Sequence, residues 1–144
     1  MGLRLLERRE LSNGLSLEFW DESRRLTGGR WYVAVRAVVP VPLSEHFPQG
    51  ISSAVMEFIL TEVGDDLCFQ LREERNFIAK ADMAATREEL KEVFIKNSLS
   101  YLCRADFPSR FVSRKVREVA EKMDWGSEHL QRLLDRLRRP GSRR

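Results

Sequence analysis

Hydrophobic and polar positions alternate along the first part of the chain with the period of two that is typical of half-buried β-strands. The alternating runs cover residues 3–11 and 15–20, and Ser12-Asn13-Gly14 between them is a hairpin signal. A three-residue loop with its glycine in the left-handed region would pair Leu11 with Leu15, whereas a two-residue loop would shift this pairing by one residue. We favour the three-residue loop, because it places two leucines on one face.

The longest alternating run extends over residues 30–41 and is rich in β-branched side chains. It predicts a strand in the centre of the sheet, and Pro40 and Pro42 are expected to end its hydrogen-bonding ladder. Residues 67–71 alternate in the same way and predict another strand. The polar run that follows, 72–76, is interpreted as the solvated end of that strand.

The period is helical in the second half of the chain. Residues 51–63 fit either a helix or a strand, and we favour a helix with Ser52 or Ser53 as its N-cap. Thr86 with Glu89 has the spacing of a capping box and predicts a helix that continues to residue 102. The pattern leaves open whether this helix begins earlier, near residue 77.

Two more helices are predicted near the C-terminus. Pro108 is suited to the first turn of one helix, which is expected to end at Gly126. Ser127 is expected to cap the last helix, whose leucines share one face. The short turn between the two resembles that of a helix-turn-helix, but turns of this length are common, and we favour an ordinary helical hairpin.

These elements predict one α+β domain over residues 1–139, followed by a disordered tail at 140–144. About four mostly antiparallel strands from the N-terminal half would form a sheet. Three or four helices, mostly from the C-terminal half, would pack on one face of it. The chain of 144 residues, with 42% hydrophobic residues, is long enough for one core.

Charge is distributed unevenly along the chain. Residues 1–103 contain 13 basic and 16 acidic residues, whereas residues 104–144 contain 12 basic and 6 acidic ones. The arginines of the predicted C-terminal helices lie opposite the leucines and are a candidate surface for nucleic acid or another partner. They are Arg110, Arg114, Arg117, Arg132, Arg136 and Arg139. Carboxylates at i,i+4 spacing offer the simpler interpretation of charge that supports exposed helices.

A second candidate site is the polar loop between Trp20 and Trp31. Its Asp21 with Arg24 or Arg30 could bind a small polar or anionic ligand, because loops on a rigid sheet often carry function. The simpler interpretation, which we favour, is a hairpin turn whose ions pair with each other.

Other chemistry has little support in the sequence. The histidines and cysteines show no short metal-ligand spacing, so we expect no metal site and no cofactor. No phosphate-binding loop and no nucleophile elbow occurs. The two distant cysteines, with no apolar leader and no long apolar run, lead us to expect a cytoplasmic protein without a membrane span.

Three classes of function remain open. The first, which we favour, is a small interaction or regulatory module without catalysis, with a protein partner or self-association through Trp20, Trp31 or Trp125. The second is a nucleic-acid-binding protein that uses the C-terminal arginines. The third is an enzyme or small-ligand binder at the loop of residues 21–30, which would require a concave pocket with perturbed titratable groups beside that loop.

Overall fold

The computed structural model describes residues 3–124 and 127–140, and it has the predicted α+β fold. A five-stranded antiparallel sheet comes mostly from the N-terminal half, and four helices come mostly from the C-terminal half. The strands are β1 (Arg4–Glu10), β2 (Ser16–Asp21), β3 (Arg24–Arg25), β4 (Arg30–Pro42) and β5 (Asp66–Ala79). A short turn, α1 (Leu43–His46), precedes the helices α2 (Ser53–Glu62), α3 (Met83–Leu102), α4 (Phe107–Lys122) and α5 (Ser127–Leu137).

The contacts within the chain divide it into two compact units. The first unit consists of residues 1–39 and 70–103, and the second of residues 40–69 and 104–144. Strands β4 and β5 each contribute residues to both units. The prediction of one domain over residues 1–139 stays a prediction.

Strand β4 has the central position that its sequence predicts. Both β2 and β3 pair with β4 in one continuous antiparallel register, as the pairs Glu18 with Val38 and Arg24 with Tyr32 show. They are therefore two parts of one interrupted strand. Because they occupy one edge of β4, β5 pairs with the other edge. The strand continues through Pro40 and ends at Pro42, the second of the two prolines that were expected to end its ladder.

The turn between β1 and β2 is the three-residue loop favoured by the sequence. The Leu11 amide donates to the Leu15 carbonyl at 2.8 Å, and Gly14 has a φ of 89°, which an L residue rarely adopts. The Asn13 side-chain amide donates to the Leu102 carbonyl at 2.7 Å, which attaches the hairpin to the C-terminal end of α3.

In the first unit, α3 packs on one face of the sheet. Phe94 meets Phe19 of β2 edge to face, with ring centroids 5.6 Å apart. Lys91 lies beside them and forms an ion pair with Glu7 at 2.8 Å. Burial alone would lower the pKa of Lys91, but its hydrogen bonds to Glu7 and Glu88 outweigh this effect and raise it. The lysine is therefore charged and paired in a largely apolar layer.

The second unit has a core of its own around α4. Phe107 and Phe111 of α4 stack on each other, and both contact Phe69 edge to face. Helix α4 also contacts α1, α2 and α5. The helical interpretation of residues 51–63 is correct, and the Ser52 hydroxyl accepts a hydrogen bond from the Ala54 amide at 3.1 Å, as an N-cap should.

The boundary between β5 and α3 differs from the prediction. Strand β5 extends to Ala79, and a short turn, Lys80–Asp82, leads directly into α3 at Met83. Thr86 therefore lies inside the helix, where its hydroxyl donates to the Asp82 carbonyl at 2.8 Å, and the capping-box prediction is wrong. Pairing with β4 explains why the strand persists where its own sequence pattern is weak.

The predicted turn at Trp125 and Gly126 and most of the predicted tail, residues 141–144, lie outside the described residues. Pro108 lies in the first turn of α4, as predicted.

Candidate functional site

The first unit contains a concave site on the face of the sheet opposite α3. Its volume is about 570 Å³, and side chains from β4, β5 and the segment that joins β2 to β3 form most of its lining. We call this the polar site. Its lining residues are Leu3, Glu22, Ser23, Arg24, Tyr32, Arg36, Arg72, Glu74 and Asn76.

The alternation of strand residues brings these side chains to one face. Arg24 pairs with Tyr32 across the strands, and the Glu22 amide donates to the Ala34 carbonyl at 2.9 Å, so Glu22 and Arg24 both lie beside β4. Between them the ladder is interrupted, and the Ser23 hydroxyl, instead of a carbonyl, accepts the hydrogen bond from the Ala34 amide at 3.2 Å. The polar site is therefore positioned by backbone pairing and one serine side chain.

Glu22 joins two of the arginines. Its Oε2 accepts a hydrogen bond from Arg36 Nε at 2.5 Å, and Arg72 Nη1 lies 3.5 Å from its Oε1. That Oε1 is buried and accepts no hydrogen bond from the described part of the chain. Because an incompletely satisfied buried carboxylate is costly, its attraction to the two guanidinium groups is what stabilises it here.

Tyr32 and Glu74 form the second pair in the site. The tyrosine hydroxyl donates to Glu74 Oε1 at 2.5 Å, and Arg72 Nε lies 3.4 Å from the same oxygen. Burial of Tyr32 raises the pKa of its hydroxyl, and the hydrogen bond to Glu74 raises it further. Tyr32 is therefore a protonated donor at neutral pH, and it holds the carboxylate in place.

Arg24 differs from the other two arginines of the polar site. Its guanidinium carbon lies 4.7 Å from the centre of the Tyr32 ring, which is the distance of a cation–π contact. Within residues 3–124 and 127–140 it forms no ion pair, whereas Arg36 and Arg72 both have carboxylate partners. Arg24 therefore keeps donors available on an oriented, exposed guanidinium.

The three residues that the sequence predicts as a ligand site in this loop do not lie together in the structure. Arg24 lines the polar site, but Asp21 and Arg30 do not. Asp21 lies on the other face of the sheet, 3.1 Å from Arg4 and 3.5 Å from Arg87. Burial alone would raise the pKa of Asp21, but hydrogen bonds from Ser23 and Arg4, together with the charge of Arg87, outweigh this effect and lower it.

Arg30 is the first residue of β4 and is exposed. By alternation it shares a face with Tyr32 and Arg36, yet it lies outside the lining of the site. Asp21 has a local role instead, because its Oδ1 accepts a hydrogen bond from the Ser23 amide at 2.9 Å and so fixes the interruption between β2 and β3.

Most of the polar site is not predicted from the sequence. The alternating pattern places Tyr32 and Arg36 only on a strand face, and it predicts a solvated strand end at Arg72 and Glu74. The signal was present as alternation, since Arg72, Glu74 and Asn76 share one face of an extended strand. Pairing of β5 with β4 then brings that face beside Tyr32, and the sequence does not specify this pairing.

The six candidate arginines lie in the second unit, and they have partners. The sequence predicts Arg139 on the last helix, but α5 ends at Leu137, so Arg139 lies beyond its end. Arg110 pairs with Asp106 at 3.6 Å, and Arg132 with Glu128 at 2.6 Å. The partners of Arg139 and Arg117 are Asp66 at 3.7 Å and the Ser113 hydroxyl at 3.2 Å. Arg114 and Arg136 also interact with neighbouring groups. Local pairing thus accounts for much of this charge.

The remaining candidate features add little. Trp20 and Trp31 are half-buried, and Trp125 lies outside the described residues. No cluster of three or more potential metal ligands occurs in the ranges 3–124 and 127–140. No helix in those same ranges combines the length and the apolar character needed to cross a membrane.

Comparison with known proteins does not assign this chain to a family. No protein-family model, no curated protein and no solved structure matches it.

Proposed function

We propose that this protein is a non-catalytic binding module, and that its polar site binds a small organic anion with a carboxylate or phosphate group. The observation that carries this proposal is Arg24, whose guanidinium is oriented over Tyr32 and has no carboxylate partner in the described chain. A guanidinium in this state presents a planar pair of donors that matches a carboxylate or phosphate.

The charge of the polar site supports an anion over a cation. Three arginines and two glutamates line it, so one positive charge is not compensated there. Arg72, which is exposed enough to contact a ligand, lies at the same site and can donate a second hydrogen bond. Arg36 is held by Glu22 and Gln70 and has a supporting role.

The dimensions and the chemistry of the site favour binding over catalysis. A volume of 570 Å³ lies within the usual range of small-molecule sites, about 300–1,000 Å³. Tyrosine is protonated at neutral pH and the pKa of Tyr32 is raised further, so its hydroxyl serves as a hydrogen-bond donor to Glu74. A cytoplasmic location, which the cysteine content suggests, stays a prediction.

Adjacent arginines of β3 provide a matched test. Arg24 lines the polar site, whereas Arg25 lies outside it and is also exposed. Calorimetric titration with citrate, inorganic phosphate and a nucleoside monophosphate should detect binding of at least one of these anions. Arg24→Gln should weaken that binding by about tenfold or more, since hydrogen bonds to charged groups contribute about 1.5–3 kcal/mol. Arg25→Gln should bind as the unmodified protein does.

Two outcomes would contradict the proposal. One is that none of the three anions binds to the folded protein at low ionic strength. The other is that Arg24→Gln and Arg25→Gln weaken binding equally, which would indicate a general charge effect rather than a site.

A further inference from the structure

One edge of the sheet in the first unit is long and exposed. In the described chain, β5 pairs only with β4, so its other edge has no strand beside it. We call residues 71–77 the edge segment. Two of its side chains are large, apolar and exposed, with Leu71 at 41% and Phe77 at 70% of full exposure. Such an edge is a template for pairing with another strand.

Phe77 is also the single non-glycine residue with a positive φ in the described chain, at 58°. This conformation costs an L residue roughly 1–2 kcal/mol, and the ring gains little burial within its own chain. An exposed aromatic residue held in an unfavourable backbone conformation suggests that the ring acquires contacts from outside the chain.

We propose that the edge segment pairs antiparallel with the edge segment of a second copy of this chain, and that this pairing forms a symmetric dimer. The sequence of the segment, Leu-Arg-Glu-Glu-Arg-Asn-Phe, is complementary to itself about Glu74. In this register Glu73 faces Arg75 of the other copy, and Leu71 faces Phe77. The two-fold axis repeats both pairs, so four favourable cross-strand contacts form.

Neighbouring registers are less favourable. If the axis passes through Arg75, the two Arg75 side chains face each other, and Glu73 faces Phe77. If the axis passes through Glu73, Leu71 faces the charged Arg75. The register about Glu74 therefore pairs both exposed apolar side chains and both unlike charges.

The residue on the axis needs compensation, because Glu74 of each copy would face the other. Each Glu74 accepts a hydrogen bond from Tyr32 and lies 3.4 Å from Arg72 Nε of its own chain. In the dimer Arg72 would also lie diagonally across from Glu74 of the second copy, which places two positive and two negative charges around the axis. This interface uses strand pairing and does not depend on ligand binding at the polar site.

Charge exchange provides the test, with sedimentation velocity of the full chain as the measurement. The unmodified protein should sediment as a dimer at high concentration. Glu73→Arg and Arg75→Glu, each alone, should weaken dimerisation by about tenfold or more, because like charges then face each other in two pairs. An equimolar mixture of the two variants should form a heterodimer, since its facing charges are opposite again.

Two further variants distinguish loss of this interface from unfolding of the chain and from a change in net charge. Phe77→Asn removes the ring but tolerates a positive φ, so it should weaken dimerisation without unfolding the chain. Arg25→Glu reverses an exposed charge outside β5 and should leave dimerisation unchanged. The proposal is overturned if the unmodified protein stays monomeric at the highest soluble concentration. It is also overturned if a dimer forms that both single charge variants retain.

Discussion

Arginines occur in two parts of this chain, and their surroundings differ. In the C-terminal helices of the second unit, arginines pair along the helix surface, as Arg132 does with Glu128 at 2.6 Å and Arg110 does with Asp106 at 3.6 Å. In the polar site of the first unit, Arg36 and Arg72 converge on Glu22 from neighbouring strands, whereas Arg24 forms no ion pair with the described part of the chain. The helices contain more arginines, but the sheet arranges fewer of them around one cavity.

The comparison shows that the local density of arginine in a sequence is a poor guide to a binding site. Helical spacing places a carboxylate one turn away from a base, and each such pair is stabilised locally and is itself neutral. Convergence of guanidinium groups from separate strands requires long-range pairing, and it leaves one group available to a ligand. The structural context of each arginine therefore matters more than the number of arginines.

Removal of one carboxylate from each of the two groups of arginines should give the largest difference in the free energy of unfolding. Glu22 is 13% exposed and Glu128 is 79% exposed, as side chains. Glu22→Gln should lower the free energy of unfolding by about 2 kcal/mol, because Arg36 and Arg72 lose a charged partner in a half-buried site. Glu128→Gln should change it by less than about 0.5 kcal/mol, as expected for an exposed i,i+4 pair. Urea unfolding of both variants measures the difference.

The same Glu22→Gln variant should also bind an anion more tightly, because the positive charge of the polar site increases. Equal destabilisation by the two substitutions, or weaker anion binding by Glu22→Gln, would show that the two groups of arginines do not differ in the way described here.

Lowering the pH should reduce the stability contributed by Asp21 of the first unit more than that contributed by Asp106 of the second. The pKa of Asp21 is lowered in the folded protein, so its ionisation contributes stability above the unfolded pKa of about 3.9. That contribution is lost as the pH falls through the folded pKa. The stability difference between the unmodified protein and Asp21→Asn should therefore be largest near pH 7 and should close below about pH 3.9.

Asp106, the residue that precedes α4, is the matched control for this prediction. A hydrogen bond from Arg104 lowers the pKa of Asp106 as well, but the Asp106 side chain is 45% exposed, against 13% for that of Asp21. Its contribution should be small and should disappear at high salt, whereas that of Asp21 should persist. Urea unfolding as a function of pH, at low and at high salt, checks both aspartates. A pH-independent difference for Asp21→Asn would contradict the role given to its ion pairs.

Local patterns in the sequence were enough to predict the α+β class, the central position of β4, the loop at Gly14 and the helix capped by Ser52. Each of these depends on neighbours within a few residues, such as alternation over one strand or a cap one turn from its amide.

Long-range pairing explains what the sequence did not reveal. The pairing of β5 with β4 extends the strand to Ala79, and it brings Glu74 to Tyr32, 42 residues away. Strand alternation separates Asp21 from Arg24, whereas the sequence predicts a loop there and groups the two residues. Of the three residues predicted for this loop site, only Arg24 lines the polar site.

The smallest expected effect concerns nucleic acid. If the six C-terminal arginines together neutralised about six phosphates, log K would fall with log salt with a slope near −5. We expect a slope no steeper than about −1 in fluorescence anisotropy with labelled single strands and duplexes, because local partners already satisfy much of this charge. Arg132→Gln combined with Arg136→Gln should leave the slope unchanged. Arg24→Gln should remove residual binding, because a phosphate that binds at all would bind at the polar site. A steep slope that is lost in the double variant would instead make the helices the functional surface.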